Sequence, residues 1–150
     1  MAPAVSISSA DSRNADAAVG MLKAQLEEHE IAIAEEALRG VVRMVTSEPR
    51  YGFILLARCD NKLVGIAYAA SHLSAEWGGI VGWLEELYIL PPWRGRGLGS
   101  ALLRAVVDRA QELEWRGLEL EVVASHDRAV ALYERHRFVP LSRTRFSRMF

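Results

Sequence analysis

The chain has 150 residues, 51% hydrophobic and 25% charged, with 18 Lys and Arg against 19 Asp and Glu for a formal net charge of −1. That length and balance suit one domain over residues 1–150 with a real core, and they exclude a global electrostatic attraction to nucleic acid or to an anionic membrane. The single cysteine, Cys59, excludes an internal disulfide, and no His or Cys stands at ligand spacing from it, so no metal site is expected.

Residues 4–8 alternate small apolar and hydroxyl side chains and predict a short strand, followed by a polar turn over 8–14. Val19, Leu22 and Leu26 recur at helical spacing and predict a helix over 15–30; Leu38, Val41, Val42 and Val45 predict a second over 34–47, stopped by Pro49. The five glutamates between Glu27 and Glu36 read as a solvated acidic face. Two β-branched and aliphatic runs, 51–58 and 63–70, flank an Asp60-Asn61 pair that tolerates positive φ, which predicts a hairpin. After a turn over 74–79, a strand over 82–90 carries Glu85 and Glu86 and ends at Pro91-Pro92. A helical stripe from Leu98 through Leu113 predicts a helix over 98–114 closed by Gly117, and a strand over 118–124 follows. Ser125 is the expected cap of a last helix bearing Ala129, Leu132 and Tyr133, and 138–150 alternates loosely as one or two closing strands. The opening residues have no basic start and no apolar core, and no apolar run approaches the roughly 20 residues that span a bilayer, so a cytoplasmic protein without membrane contact is expected. This order predicts a mixed α/β fold with helices on a largely antiparallel, partly parallel sheet.

The segment Arg94-Gly95-Arg96-Gly97-Leu98-Gly99-Ser100 lies between a strand and a helix, where backbone amides and a helix dipole can face an anion. A tight turn needs one glycine, whereas three alternate glycines also clear a path for a phosphate. The spacing fails the dinucleotide fingerprint, since the position three after Gly97 is Ser100, and with no Gly-Lys pair in the chain it is no ATP-binding P-loop.

Arg94-x-x-Gly97-x-Gly99 resembles the coenzyme A turn of the GNAT superfamily of N-acetyltransferases. Glu85-Glu86-Leu87-Tyr88-Ile89 resembles that family's fourth strand, and Leu120-Glu121-Val122 with Ala129-x-x-Leu132-Tyr133-Glu134 its fifth strand and last helix. The resemblance implies six to seven strands, about four helices, and acetyl-CoA as co-substrate without a metal. It also implies that the backbone of Leu87, Tyr88 and Ile89 pairs with the pantetheine arm, and that residues 94–100 hold the pyrophosphate. At two positions the chain departs from the pattern. His126 stands where an asparagine contacting the coenzyme is common, and Arg137 stands where a glycine commonly precedes the aromatic Phe138.

Amine acetylation needs a base for the ammonium and an acid for the departing thiolate. Glu85, Glu86 and Glu121 are candidates for the base. On a regular strand Glu85 and Glu86 point to opposite faces unless a bulge intervenes. The strand is similar to that of the spermidine/spermine acetyltransferases, which favours Glu85. Tyr133 matches the family's acid and is neutral at physiological pH at its ordinary pKa of about 10. The expected acceptor is a small-molecule primary amine, such as a diamine, polyamine or amino-acid-like amine. The alternatives are a peptide N-terminus or lysine side chain, and a non-catalytic acyl-CoA sensor. His29, His72 and His136 read as ordinary histidines, Trp77 as the lip of a pocket, and the arginines of the last quarter as a solvated face. The alternation over 143–150 offers an edge through which a homodimer would form.

Overall fold

The most continuously aliphatic part of the chain forms the centre of a sheet. In the computed structural model, which describes residues 3–150, β2 (Gly52–Cys59) and β3 (Lys62–Ser74) pair antiparallel. Asp60 and Asn61, at φ 49° and 65°, supply the two left-handed residues that a two-residue hairpin turn requires. β1 (Val5–Ser9) pairs antiparallel with β2, β4 (Gly79–Ile89) antiparallel with β3, and β5 (Gly117–Glu119) parallel with β4, so the sheet order is β1-β2-β3-β4-β5.

Period-two alternation then sorts the side chains. Ile54, Leu56 and Ile66 face α1 (Ala15–Glu28) and α2 (Glu35–Ser47), packing with Val19, Leu22 and Val42. Phe53, Leu55 and Ala57 face the opposite way, onto Leu102, Leu103 and Val106 of α3 (Leu98–Glu112), and α4 (Asp127–Arg135) adds Leu132 and Tyr133 at that layer's edge. No helix among the described residues is long and apolar enough to cross a membrane.

The sheet has five strands among the described residues, not six to seven. The expected strand over 118–124 is only Gly117–Glu119, because its ladder with β4 stops at Trp83↔Glu119. With so short a strand at the edge, the alternation over 138–150 has no row of N–H and C=O groups to continue, and that segment has no regular structure. Gly117 does not close α3. The left-handed residue there is Glu114, at φ 58°, and Gly117 lies in β5, where a Cβ would meet the Trp77 ring at 2.7 Å. Trp77 therefore packs across β5, although it remains 43% exposed. The residue flanking α4 is His126 rather than Ser125, and it makes no side-chain cap bond.

Candidate active site

β4 positions the two central carboxylates through an irregularity. Tyr68 pairs with Glu86 and Ala69 with Leu84, so Glu85 is an extra residue bulged out of the ladder. A bulge breaks the alternation that would have sent Glu85 and Glu86 to opposite faces, and it bends its strand. Pairing with β5 ends at Trp83, one residue before Leu84, so residues 84–89 have β3 on one side and, among the described residues, no strand on the other. The edge carrying Leu87, Tyr88 and Ile89 is thus open to an added chain. Leu87 and Ile89 pack onto the α3 layer, and Tyr88 is buried against α1.

The glycine turn continues from β4 through a 3-10 turn, Pro91–Trp93. Gly95 and Gly97 both adopt positive φ, 75° and 78°, so the turn's path requires two glycines, not one. Gly99 is different: its φ is ordinary, and a Cβ there would meet Leu132 and Ile89 only at 3.8 and 4.0 Å. Neither backbone strain nor packing demands its missing side chain. α3 also begins with no side-chain cap and no acidic residue in its first turn, whereas α1, α2 and α4 carry Asp16, Glu35 with Glu36, and Asp127 there. Its free amides at Leu98, Gly99 and Ser100 and its dipole suit an anion. These features fit a diphosphate.

The surrounding side chains divide. Arg94 is turned away from the turn: its Nη2 donates to Glu28 at 2.9 Å, its Nε to the Ile89 carbonyl at 2.8 Å, and its guanidinium covers the Tyr88 ring. The Arg94 guanidinium holds the Glu28 carboxyl below its ordinary value. Arg96 is exposed and lies over the Trp93 ring. Arg128, at the start of α4, reaches Gly95, with Nη2 3.8 Å from where a Cβ would stand. The Ser100 hydroxyl is 2.6 Å from His136 Nε2, so His136, read from the sequence as an ordinary histidine, supports the first turn of α3. His126 is exposed; its N–H donates to the Val123 carbonyl at 2.9 Å, and its side chain makes no cap bond.

Arg137 occupies the position of the common glycine in the same left-handed conformation, φ 68°. The Phe138 N–H donates to the Tyr133 carbonyl and the Arg137 N–H to the Glu134 carbonyl, both at 3.0 Å, a Schellman closure. The closure also sets Phe138 edge-on against Tyr133, with ring centroids 5.8 Å apart. The turn is therefore built normally, with an arginine tolerating a conformation that favours glycine.

Glu85, Glu86, Glu121 and Tyr133 share one electrostatic neighbourhood. Burial, and then the charge of Glu85, push Glu86 up to about 7. Glu85 is raised by burial and by Glu121, against the opposing charge of Arg145. Burial and Glu86 push Tyr133 up to about 12. Tyr68, opposite Glu86 in the ladder, is raised by burial and by Glu85. Glu121 is exposed and lies beyond the end of β5. A recess of about 300 Å³ beside it is lined by Glu121, Arg145, Phe146 and Ser147. A second recess, lined by Ile7, Leu55, Ala105 and Asp108 among others, lies at the opposite edge of the sheet, remote from these groups. Among the described residues no cluster of His, Cys, Asp and Glu could hold a metal. Sequence reasoning missed Glu28, Tyr68, Arg128, His136 and Arg145, whose positions depend on contacts far along the chain.

Comparison with known proteins gives this arrangement a family. The model of the acetyltransferase (GNAT) family matches residues 16–138. Thialysine N-epsilon-acetyltransferase of Bos taurus is 31% identical over 70 residues, which is 46% of this chain and 41% of the bovine protein. The chain therefore spans about two fifths of that relative's length. Among solved structures, an integron cassette protein from the mobile metagenome of Cole Harbour Salt Marsh superimposes with a TM-score of 0.85 at 23% identity, covering 95% of this chain and 89% of that one. The aminoglycoside N-acetyltransferase AAC(6')-Iy in complex with CoA superimposes with a TM-score of 0.82 at 17% identity, covering 99% and 97%. At these identities the superpositions establish the fold.

Proposed function

The chain belongs to the GNAT acetyltransferase family, and on that premise we propose that it transfers an acetyl group from acetyl-CoA to the primary amine of a small molecule. The observation that supports this reading is the bulge at Glu85, which breaks the alternation of Glu85 and Glu86 where β4 parts from β5, on a strand that leads into a turn with two left-handed glycines and an uncapped helix start. The small-amine acceptor is supported by the acidic surroundings of that edge and by relatives named for thialysine and aminoglycosides. A small primary amine is cationic at neutral pH, and clustered carboxylates concentrate it.

Gly95, Gly97, Gly99 and the amides of Leu98 and Ser100 would hold the diphosphate, with Arg96 and Arg128 as the nearby cations, and the edge at Leu87–Ile89 would receive the pantetheine. When bound, the coenzyme supplies an activated acetyl thioester. The chain's residues move the protons. Two protons leave the ammonium nitrogen as its N–C bond forms and the C–S bond breaks. One passes to the Glu85–Glu86 pair and on to solvent, freeing the lone pair; Tyr133, kept neutral by burial, gives its phenolic proton to the departing sulfur and is restored by the nitrogen's second proton. The resemblance of the strand favours Glu85 as the base, whereas burial favours Glu86, since a base held up to about 7 is matched to neutral pH. We assign the base to Glu86, with Glu85 drawing in the ammonium and raising its neighbour.

The pH dependence of kcat/KM tests this assignment. In the wild type the rate should rise with pH through about 7, as Glu86 loses its proton. Glu86→Gln should abolish that limb and lower kcat roughly 100-fold or more. Glu85→Gln should retain the limb but move it to lower pH, because the charge that raises Glu86 is gone. If Glu85→Gln abolishes the limb instead, Glu85 is the base.

A further inference from the structure

Residues 139–150 form neither helix nor strand, and among the described residues no backbone hydrogen bond ties them to the rest of the chain. Apolar burial does not hold them either: Phe146, Met149 and Phe150 are 90%, 95% and 106% exposed. The segment is fastened by two arginines. Arg143 grips Glu76 through both Nη atoms, at 2.7 and 3.2 Å. Two residues on, Arg145 Nη1 lies 3.0 Å from the Glu121 carboxylate, with its guanidinium 4.6 Å from the centre of the Trp83 ring. The charge of Arg145 also acts on Glu85.

A carboxylate and an aromatic face thus converge on one guanidinium, whose charge also bears on Glu85. The same two elements would recognise an alkylammonium. The contact is also weakly held. Both partners of the Arg145–Glu121 pair remain more than half exposed, 56% and 58%, and an exposed ion pair contributes little against water and salt. The backbone carrying Arg145 can swing away without breaking any hydrogen-bond ladder.

We propose that Arg145 is an internal occupant of the cation subsite formed by Glu121 and Trp83, carried on the irregular segment 139–150 as a strap that a cationic acceptor must displace. The inference rests on the transferase reading for the identity of the acceptor. An amine bearing a second positive charge gains most from this subsite, since its unreacted cation can replace the guanidinium while the other nitrogen reaches the Glu85–Glu86 pair. Arg145 therefore lowers affinity for every cationic acceptor by competing with it, without touching the coenzyme turn.

Calorimetric titration of 1,4-diaminobutane into the full chain, with coenzyme A present, tests the proposal without requiring turnover. Arg145→Ala should bind the diamine roughly three- to tenfold more tightly than the wild type, and Arg145→Lys, which keeps the competing charge, should stay near the wild type. Arg143→Ala loosens the strap outside the subsite and should shift affinity in the same direction by less. Equal or weaker binding by Arg145→Ala, or no binding by it at all, overturns the proposal. The transferase reading is judged separately, by thiol release from acetyl-CoA: its failure with tightened diamine binding in Arg145→Ala would leave the strap assignment standing.

Discussion

Glu86 is half-buried beside a second carboxylate, and both facts disfavour its ionised form. Its folded-state pKa, pushed up to about 7, lies above the unfolded value, so the folded protein holds this proton more tightly. The associated stability is fully present below the unfolded pKa and is lost as pH rises through about 7. Glu86→Gln should therefore raise the Tm at pH 8, by an amount corresponding to roughly 1–2 kcal/mol after allowance for partial exposure, and change it little at pH 4.5. Thermal unfolding at the two pH values checks this. A residue can thus weaken the fold while being poised for proton transfer. The sequence singles out Glu85, Glu86 and Tyr133 as candidates, but not the relation between the two carboxylates. The bulge that joins the two carboxylates is set by the register of β4 against β3, which local alternation does not encode. Arg94 shows the same limit: beside three glycines it reads as a phosphate ligand, yet its partner is Glu28, 66 residues away.

At the scale of elements, the glycine turn separates what the backbone needs from what a ligand needs. Gly97→Ala would force an alanine to φ 78°, at a cost of about 1 kcal/mol or more. Gly99→Ala meets neither that strain nor a clash and adds helix propensity at the start of α3, so it should leave stability unchanged or raise it by up to about 1 kcal/mol. The same substitution should weaken coenzyme binding, measured by calorimetry, because the methyl group intrudes where the backbone must approach a diphosphate. Unchanged affinity would mean that Gly99 is not part of the cradle. The end of α4 makes the complementary point. Arg137→Gly relieves the left-handed conformation while keeping the Schellman bonds, and should stabilise the protein by up to about 1 kcal/mol in denaturant unfolding. Helices, the β2–β3 hairpin and the glycine turn were legible because their signals are local: apolar spacing, the Asp60-Asn61 pair, alternate glycines. The closing strands were not, because alternation over 138–150 describes only one half of a pairing and β5 offers no edge on which to complete it.

For the whole molecule, the two layers divide the work. α1 and α2 bury one sheet face, and Glu28 on α1 anchors Arg94, so that layer stabilises the turn from behind. α3 and α4 bury the other face, and their starts lie by the glycine turn, with Tyr133 on α4 at the layer's edge. β4 parts from β5 after Trp83, and Arg145 lies against the Trp83 ring and the Glu121 carboxylate beside that parting. The measurement that tests the central claim most directly is release of free thiol from acetyl-CoA across a panel of diamines, polyamines, amino acids, aminoglycosides and peptides, with the wild type and Tyr133→Phe compared. The account predicts turnover of a small amine by the wild type and a kcat lower by roughly 10- to 100-fold in Tyr133→Phe, with acetyl-CoA affinity retained. Acetyl-CoA binding without turnover of any amine, or turnover by Tyr133→Phe equal to the wild type, would contradict it.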